Sequence, residues 1–248
     1  MKRLEYRFKV TENRRLTSKT YVMRLRGEEG VIENPGQFVN LAVEGKYLRR
    51  PISICDVKGD EITLLYDVVG DGTAAMSGWE AGKEVDMLAP LGNGFDMTRS
   101  GERPLLLGGG IGIAPMYMLA RLLLEQGKSP TVVLGFNTVA DVAWADEFRA
   151  LGVEVLVTTA DGSEGIKGFV TDAEVCRDPG VSYFYACGPM PMLRAVCERL
   201  PMDGEVSLDE RMACGFGVCM CCSLETKSGA KRICKDGPVF TKDELIWK

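Results

Sequence analysis

Hydrophobic and polar residues alternate over short stretches in the first hundred residues, as in Tyr21-Val-Met-Arg-Leu-Arg26, Gln37-Phe-Val-Asn-Leu-Ala-Val43 and Glu61-Ile-Thr-Leu-Leu-Tyr66. Alternation puts successive side chains on opposite faces of a strand, and Gly, Pro and charged turns separate the stretches. Many short strands predict a sandwich or an antiparallel barrel. The pattern changes after Pro90-Leu-Gly-Asn-Gly-Phe95. Leu105-Leu-Leu107, an apolar helix near residues 116–125, Thr131-Val-Val-Leu134, a helix near residues 143–151 and Val153-Glu-Val-Leu-Val157 then follow one another. Strands alternating with helices predict a Rossmann-like parallel sheet covered by helices. A further strand, Tyr183-Phe-Tyr-Ala186, leads through Cys187-Gly-Pro-Met190 into a helix around residues 191–199. The expected fold class is therefore β followed by α/β. Its expected division is a barrel over residues 1–100, a nucleotide-type α/β domain over 101–203 and a small cysteine-bearing region over 204–248.

With 248 residues, 46% of them hydrophobic, the chain can bury two modest cores. The net charge of −5 argues against a nucleic-acid surface. The chain has no histidine, which excludes a Ser-His-Asp triad, a Cys-His pair, His-ligated zinc and a Rieske centre. The uncharged stretch at residues 104–120 is too short and too glycine-rich for a membrane span. Met1-Lys-Arg-Leu-Glu-Tyr-Arg7 has no apolar signal-peptide core, so the expected setting is the cytoplasm.

The strongest chemical signal is Cys214-Gly-Phe-Gly-Val-Cys219-Met-Cys-Cys222 followed by Cys234, a C-x4-C-x2-C-x11-C pattern. This is the plant-type spacing of a 2Fe-2S centre, in which one tight loop supplies three thiolates and a later segment the fourth. Gly215 and Gly217 let the backbone curl around sulfur and aim N–H groups at it. Structural zinc is the first rival, but only Cys219 and Cys222 form the C-x2-C knuckle that zinc ribbons use in pairs. Disulfides fit less well, because nine cysteines is an odd count and nothing points to an oxidising compartment. Cys221 stands between ligands as a bystander, and Cys55, Cys176 and Cys197 read as small buried hydrophobes.

Leu105-Leu-Leu-Gly-Gly-Gly-Ile-Gly-Ile-Ala114 is a strand that runs into glycines and opens a helix, which offers free N–H groups to an anion. It is not a strict G-x-G-x-x-G, and a packing turn is the plain alternative. Cys187-Gly188-Pro189 at a later strand end can line the same crevice, where ligands of open parallel sheets bind. In the first domain, Leu48-Arg-Arg-Pro-Ile-Ser-Ile54 places Arg50 and Ser53 on one extended segment, and Tyr66-Asp-Val-Val-Gly-Asp-Gly-Thr73 adds glycines and a hydroxyl. Taken singly, a solvated arginine beside a proline turn and a Gly-Asp-Gly hairpin turn explain these fragments as well.

Taken together and in this order, Pro35-Gly-Gln-Phe38, Arg50-Pro-Ile-Ser53, Gly108-Gly-Gly-Ile-Gly-Ile-Ala-Pro115 and Cys187-Gly-Pro189 resemble the ferredoxin-reductase family of flavoproteins over nearly the whole chain. Glu210-Arg-Met-Ala-Cys214-Gly-Phe-Gly-Val-Cys219 and Cys234-Lys-Asp-Gly-Pro-Val-Phe240 narrow the likeness to electron-transfer subunits whose partner oxidises dihydroorotate. The resemblance implies FAD in the barrel, with Arg50 on its pyrophosphate and Ser53 near flavin N5. Pro51, Ile52, Leu65, Tyr66 and Asp67 would line that cofactor, and Gly72 and Thr73 would hold phosphate. Ile52 stands where much of the family has an aromatic ring, and Asp67 where relatives often carry a base.

Gly109, Gly110, Gly112, Pro115, Gly188 and Pro189 would approach NAD, and Cys187 would lie beside the nicotinamide. Ser53 and Cys187 are thus the expected catalytic residues, and Cys214, Cys219, Cys222 and Cys234 the expected cluster ligands. Flavin converts a hydride pair into single electrons. The implied route runs from dihydroorotate through FMN on a partner catalytic subunit, then the cluster and FAD, to NAD, with two copies of each subunit. Other NAD(P)H:ferredoxin, sulfite-reductase or hydrogenase complexes are the alternative setting. NAD is expected over NADP because Gly135-Phe-Asn-Thr-Val-Ala-Asp141 offers no base to a 2′-phosphate, although Asp141 could equally cap a helix.

Overall fold

The computed structural model describes residues 4–247. Six antiparallel strands, β1 (Glu5–Arg15), β2 (Thr20–Arg26), β3 (Phe38–Leu41), β4 (Arg50–Lys58), β5 (Glu61–Asp67) and β6 (Glu84–Leu91), close into a barrel in the order β1-β2-β5-β4-β3-β6. Closure satisfies every strand edge and turns one residue in two inward. Along β6 the buried positions are Val85, Met87, Ala89 and Leu91. With Phe8, Met23, Leu25, Leu41, Ile54, Ile62 and Leu64 they belong to the buried apolar residues of the barrel and its rim.

Residues 71–77 are a short helix, α1 (Asp71–Ser77), rather than the hairpin turn that Gly-Asp-Gly suggests on its own. The Thr73 hydroxyl produces the difference. It accepts the Val69 N–H at 2.9 Å and donates to the Gly70 carbonyl at 3.1 Å, closing the first turn against the end of β5.

The second sheet contains β7 (Pro104–Gly109), β8 (Thr131–Phe136), β9 (Glu154–Thr159), β10 (Ile166–Lys167), β11 (Tyr183–Cys187) and β12 (Gly204–Ser207), all parallel. Their order is β10-β9-β8-β7-β11-β12, so the winding reverses between β7 and β11. Leu105, Leu106 and Leu107 are fully buried because helices cover both faces: α2 (Ala114–Glu125), α3 (Ala145–Ala150) and α4 (Met190–Arg199). The parallel sheet extends past residue 203 through β12.

Beyond β12 the cysteine-bearing loop leads into the hairpin β13 (Ser223–Thr226) and β14 (Gly229–Arg232), and then into the single turn α5 (Ile233–Asp236). The chain then returns as β15 (Val239–Thr241), an antiparallel edge strand beside β12.

The two large units share an apolar seam. Val22, Cys55, Leu65 and Phe95 belong to the same buried cluster as Ile113, Met116 and Tyr117. Across the seam, Arg121 of α2 donates to one carboxylate oxygen of Asp56 at 2.7 and 3.0 Å and to the Val57 carbonyl at 3.1 Å. Among the described residues no helix is long and apolar enough to cross a membrane.

Candidate cofactor cavity and cysteine centre

A cavity of about 930 Å³ opens between barrel and sheet, at the upper end of the range for ligand pockets. Its barrel wall includes Arg50, Pro51, Ile52, Ser53, Leu65, Tyr66, Asp67 and Thr73. The sheet wall includes Gly109, Gly110 and Gly112 after β7, and Cys187, Gly188 and Pro189 after β11. Cys187 pairs with Gly108 in the sheet, so both motifs end at the place where the winding reverses. Strand ends at such a point leave a crevice into which helix N-termini aim their N–H groups.

Backbone contact requires glycine at position 112, and a guanidinium takes the place of a side chain at position 72. A Cβ on Gly112 would overlap the Cys187 carbonyl, so only glycine lets the start of α2 lie against the end of β11. A Cβ on Gly72 would overlap the Arg50 guanidinium, which packs flat on the bare backbone of α1. Among the described residues that guanidinium donates only to the backbone carbonyls of Leu48 and Arg49, which leaves its charge for an anionic ligand. The cavity therefore has a free cation, glycine-lined backbone and an apolar floor, a donor set that fits a long dinucleotide and a flavin.

Not every expected residue presents its side chain there. The Tyr66 ring is buried, stacks on Tyr21 at 5.6 Å and donates its hydroxyl to Asn13 at 2.9 Å. The Asp67 carboxylate accepts the Thr20 hydroxyl at 2.7 Å and pairs with Lys19 at 3.1 Å. Lys19 itself lines the cavity, so the base missing at position 67 is supplied from β1–β2. The Thr73 hydroxyl is engaged in closing α1. Gly72 and Pro115 lie just behind the lining, Gly72 under Arg50 and Pro115 buried in the first turn of α2. Asp141 lines the cavity and also accepts the Thr138 N–H at 3.2 Å, so the helix-cap reading of this residue holds as well.

Burial pushes the Cys187 thiol up to about 12, against weaker opposition from the Ser207 hydroxyl. It is a neutral thiol at physiological pH, suited to packing rather than to nucleophilic attack. Sequence reading missed Thr158, Arg199 and Asp209, which also reach the cavity. Thr158 directly follows the predicted strand that ends at Val157, and strand-end position was the signal that could have found it; Asp209 follows β12, a strand the sequence did not announce.

The cysteine loop lies against β3, where Asn40 donates to the Cys214 carbonyl at 3.4 Å. Gly215 and Gly217 have φ of 78° and 89°, left-handed values that wrap the loop around sulfur. The Val218 and Cys219 N–H groups point at Cys214 Sγ at 3.3 and 3.5 Å, and the Cys234 N–H at Cys222 Sγ at 3.4 Å. Desolvation raises the Cys214 thiol, but the N–H groups of Cys219, Phe216 and Val218 outweigh it and lower the thiol to about 6. Desolvation, then contact with the Cys222 sulfur and the charges of Cys222 and Cys214, push Cys234 up to about 12. A Cys234 thiol held neutral by its sulfur neighbours becomes a thiolate ligand only beside a cationic core.

The sulfurs associate as Cys214 with Cys219 and Cys222 with Cys234. Among the described residues no three His, Cys, Asp or Glu side chains converge as one ion would need. The C-x4-C-x2-C-x11-C spacing, with a single C-x2-C knuckle, suits a core of two irons better than one tetrahedral zinc. Cys221 turns away, its sulfur 3.6 Å from the Arg211 carbonyl.

The family model described as the iron-sulfur cluster binding domain of dihydroorotate dehydrogenase B matches residues 209–246, and the oxidoreductase NAD-binding domain matches residues 106–198. The chain is 42% identical to the dihydroorotate dehydrogenase B (NAD(+)) electron transfer subunit of Bacillus caldolyticus, over 97% of this chain and 98% of that one. It belongs to that family of electron transfer subunits. The Fusobacterium nucleatum member is 39% identical over 95% of this chain and 96% of its own length. Among solved structures, an NADH-dependent reduced ferredoxin-NADP oxidoreductase aligns with a TM-score of 0.88 and 30% identity, covering 100% of this chain and 91% of the other. A ferredoxin reductase of carbazole 1,9a-dioxygenase, at 22% identity and a TM-score of 0.69, shares the fold. Family membership makes the chain an oxidoreductase subunit with iron-sulfur and NAD-binding domains, one that works beside a catalytic subunit.

Proposed function

We propose that this chain passes electrons between a catalytic subunit that carries FMN and oxidises dihydroorotate and NAD, with two copies of each subunit in the complex. FAD, when bound, supplies exchange between hydride pairs and single electrons, and a 2Fe-2S cluster carries the single electrons. Arg50 would hold the FAD pyrophosphate, and Ser53, on the same strand, would offer its hydroxyl to the flavin. The glycines from Gly109 to Gly112 and the Gly188-Pro189 corner bring NAD to the switch point, with Cys187 as a neutral surface beside the nicotinamide. Lys19, rather than Asp67 alone, contributes charge at the barrel wall. Cys214, Cys219, Cys222 and Cys234 hold the cluster.

One observation carries this reading. The cysteine loop rests on β3 through a bond from Asn40 to the Cys214 carbonyl at 3.4 Å, and Asn40 pairs directly with Pro51 of the Arg50-to-Ser53 strand. A single-electron carrier and the flavin strand are thus neighbours in one barrel. Phe216, Val218 and Met220 are exposed around the cysteines, and Val218 is 73% exposed, which supports docking of the partner at this face. Likeness to an NADH-dependent reduced ferredoxin-NADP oxidoreductase supports a second setting, with the same internal route and a different partner.

The test uses the complex purified with its catalytic subunit. Cys219→Ala should abolish dihydroorotate-dependent NAD reduction and leave NADH-dependent dye reduction at the flavin intact. Loss of dye reduction with FAD still bound would show that the cofactors are not arranged in this order.

A further inference from the structure

Residues 92 and 93, between the barrel and the nucleotide sheet, are in contact with the segment that follows the fourth cysteine. The Asn93 side chain donates to the Asp236 carbonyl at 3.1 Å and the Val239 carbonyl at 3.3 Å, and accepts the Val239 N–H at 3.2 Å. The Asn93 backbone N–H adds a bond to the Gly237 carbonyl at 2.8 Å. A Cβ on Gly92 would overlap the Pro238 ring, so the absence of a side chain at position 92 lets that ring seat against the backbone.

From there the contacts run back to the cysteine loop. Arg232 pairs with Asp236 at 3.1 Å and donates to the Gly217 carbonyl at 2.7 Å. A second anchor stands on β3. Asn40 is 1% exposed, bonds the Cys214 carbonyl and fills the space that a Cβ on Gly215 would need, and its own carbonyl oxygen has no partner. Such a buried amide cannot be explained by packing alone, because an apolar residue of the same shape would avoid the cost of the orphaned oxygen.

We propose that Asn93 and Asn40 are positioning residues that fix the cysteine centre to the flavin barrel at two points and so set the rate at which electrons cross between them. The proposal rests on the cofactor assignment above. Neither side chain lines the nucleotide cavity, so both act through the loops they hold. Asn93 holds the segment after Cys234, and Asn40 holds the loop at Cys214. Together they clamp both ends of the ligand-bearing stretch. Losing one clamp lets the centre shift while the four thiols still bind their core.

Asn93→Ala and Asn40→Ala are to be compared with the wild-type chain in its complete complex. NADH-dependent dye reduction should be unchanged, and iron and flavin content should stay at wild-type levels. Reduction of the cluster after rapid mixing with NADH should slow about tenfold, the scale on which outer-shell partners of a metal site act. The electron paramagnetic resonance relaxation of the reduced cluster, which senses its surroundings and its neighbours, should change with it.

An unchanged cluster reduction rate and unchanged relaxation in both variants would overturn the proposal. Should an alanine variant lose iron, Asn93→Asp keeps an acceptor for the Val239 N–H and replaces the two donated bonds with repulsion between a carboxylate oxygen and the Asp236 and Val239 carbonyls. Slowed cluster reduction in that variant supports the clamp, and a wild-type rate refutes it. Absence of iron or flavin from the wild-type complex would instead refute the cofactor assignment.

Discussion

Glu205→Gln is expected to make the protein more stable above neutral pH and to change it little in mild acid. Glu205 is 5% exposed on β12, accepts the Asp96 N–H at 2.9 Å and lies 3.8 Å from the Arg99 guanidinium. Burial, opposed by the Asp96 N–H and Arg99, pushes its carboxyl up to about 7 from the ordinary 4.5. The folded state therefore holds a proton that the unfolded chain releases between those two values. Stability from this residue is full below the unfolded value and is lost as the pH rises through the folded one. At about 1.4 kcal/mol per pH unit, the loss above neutrality reaches about 3 kcal/mol.

Glutamine cannot ionise and keeps an oxygen for the Asp96 N–H. The forfeited attraction to half-exposed Arg99 offsets about 0.2–1 kcal/mol of the gain. Urea unfolding of both proteins with matched cofactor content, at about pH 5 and about pH 8, measures the difference directly. A variant-minus-wild-type difference that stays constant, or shrinks toward pH 8, would refute the reasoning. Such a result would mean that burial does not hold the proton on Glu205.

Gly72→Ala should leave the fold intact and slightly favour α1, yet displace Arg50; equilibrium dialysis should show FAD binding weakened roughly 10- to 100-fold, the worth of one charge-assisted bond. Arg121→Ala should cost about 2 kcal/mol in thermal or urea unfolding, because buried Asp56 is left with the exposed Lys58 ammonium at 3.6 Å, and adding Asp56→Asn should recover a large part of it; no recovery would show that packing, not charge, is lost.

Much of this architecture could be read before the structure was seen, and particular residues show where reading stopped. Leu105 to Leu107 announced a strand buried on both faces, and the cysteine spacing announced the centre, because both signals are local and dense. The helix at residues 71–77 gave no sign in the sequence because one hydroxyl, not a periodic apolar face, closes its first turn. Tyr66 was expected at the cofactor and does line the cavity, while its ring packs into the barrel and Leu65, its neighbour on the strand, packs in the seam. Asp67 was expected alone, whereas its charge is answered by Lys19, far away in sequence. Asn93 carried no signal at all, since its partners lie more than a hundred residues downstream.

The return of the chain as β15 has a consequence for biogenesis. The outer edge of β12 stays open until residues 239–241 pair with it, and all four cluster cysteines precede those residues in synthesis. A ribosome must therefore release every cysteine of the centre before the nucleotide sheet can finish its edge. A chain cut between Cys234 and Val239 would keep its cysteines but leave an unfinished, adhesive sheet edge at β12.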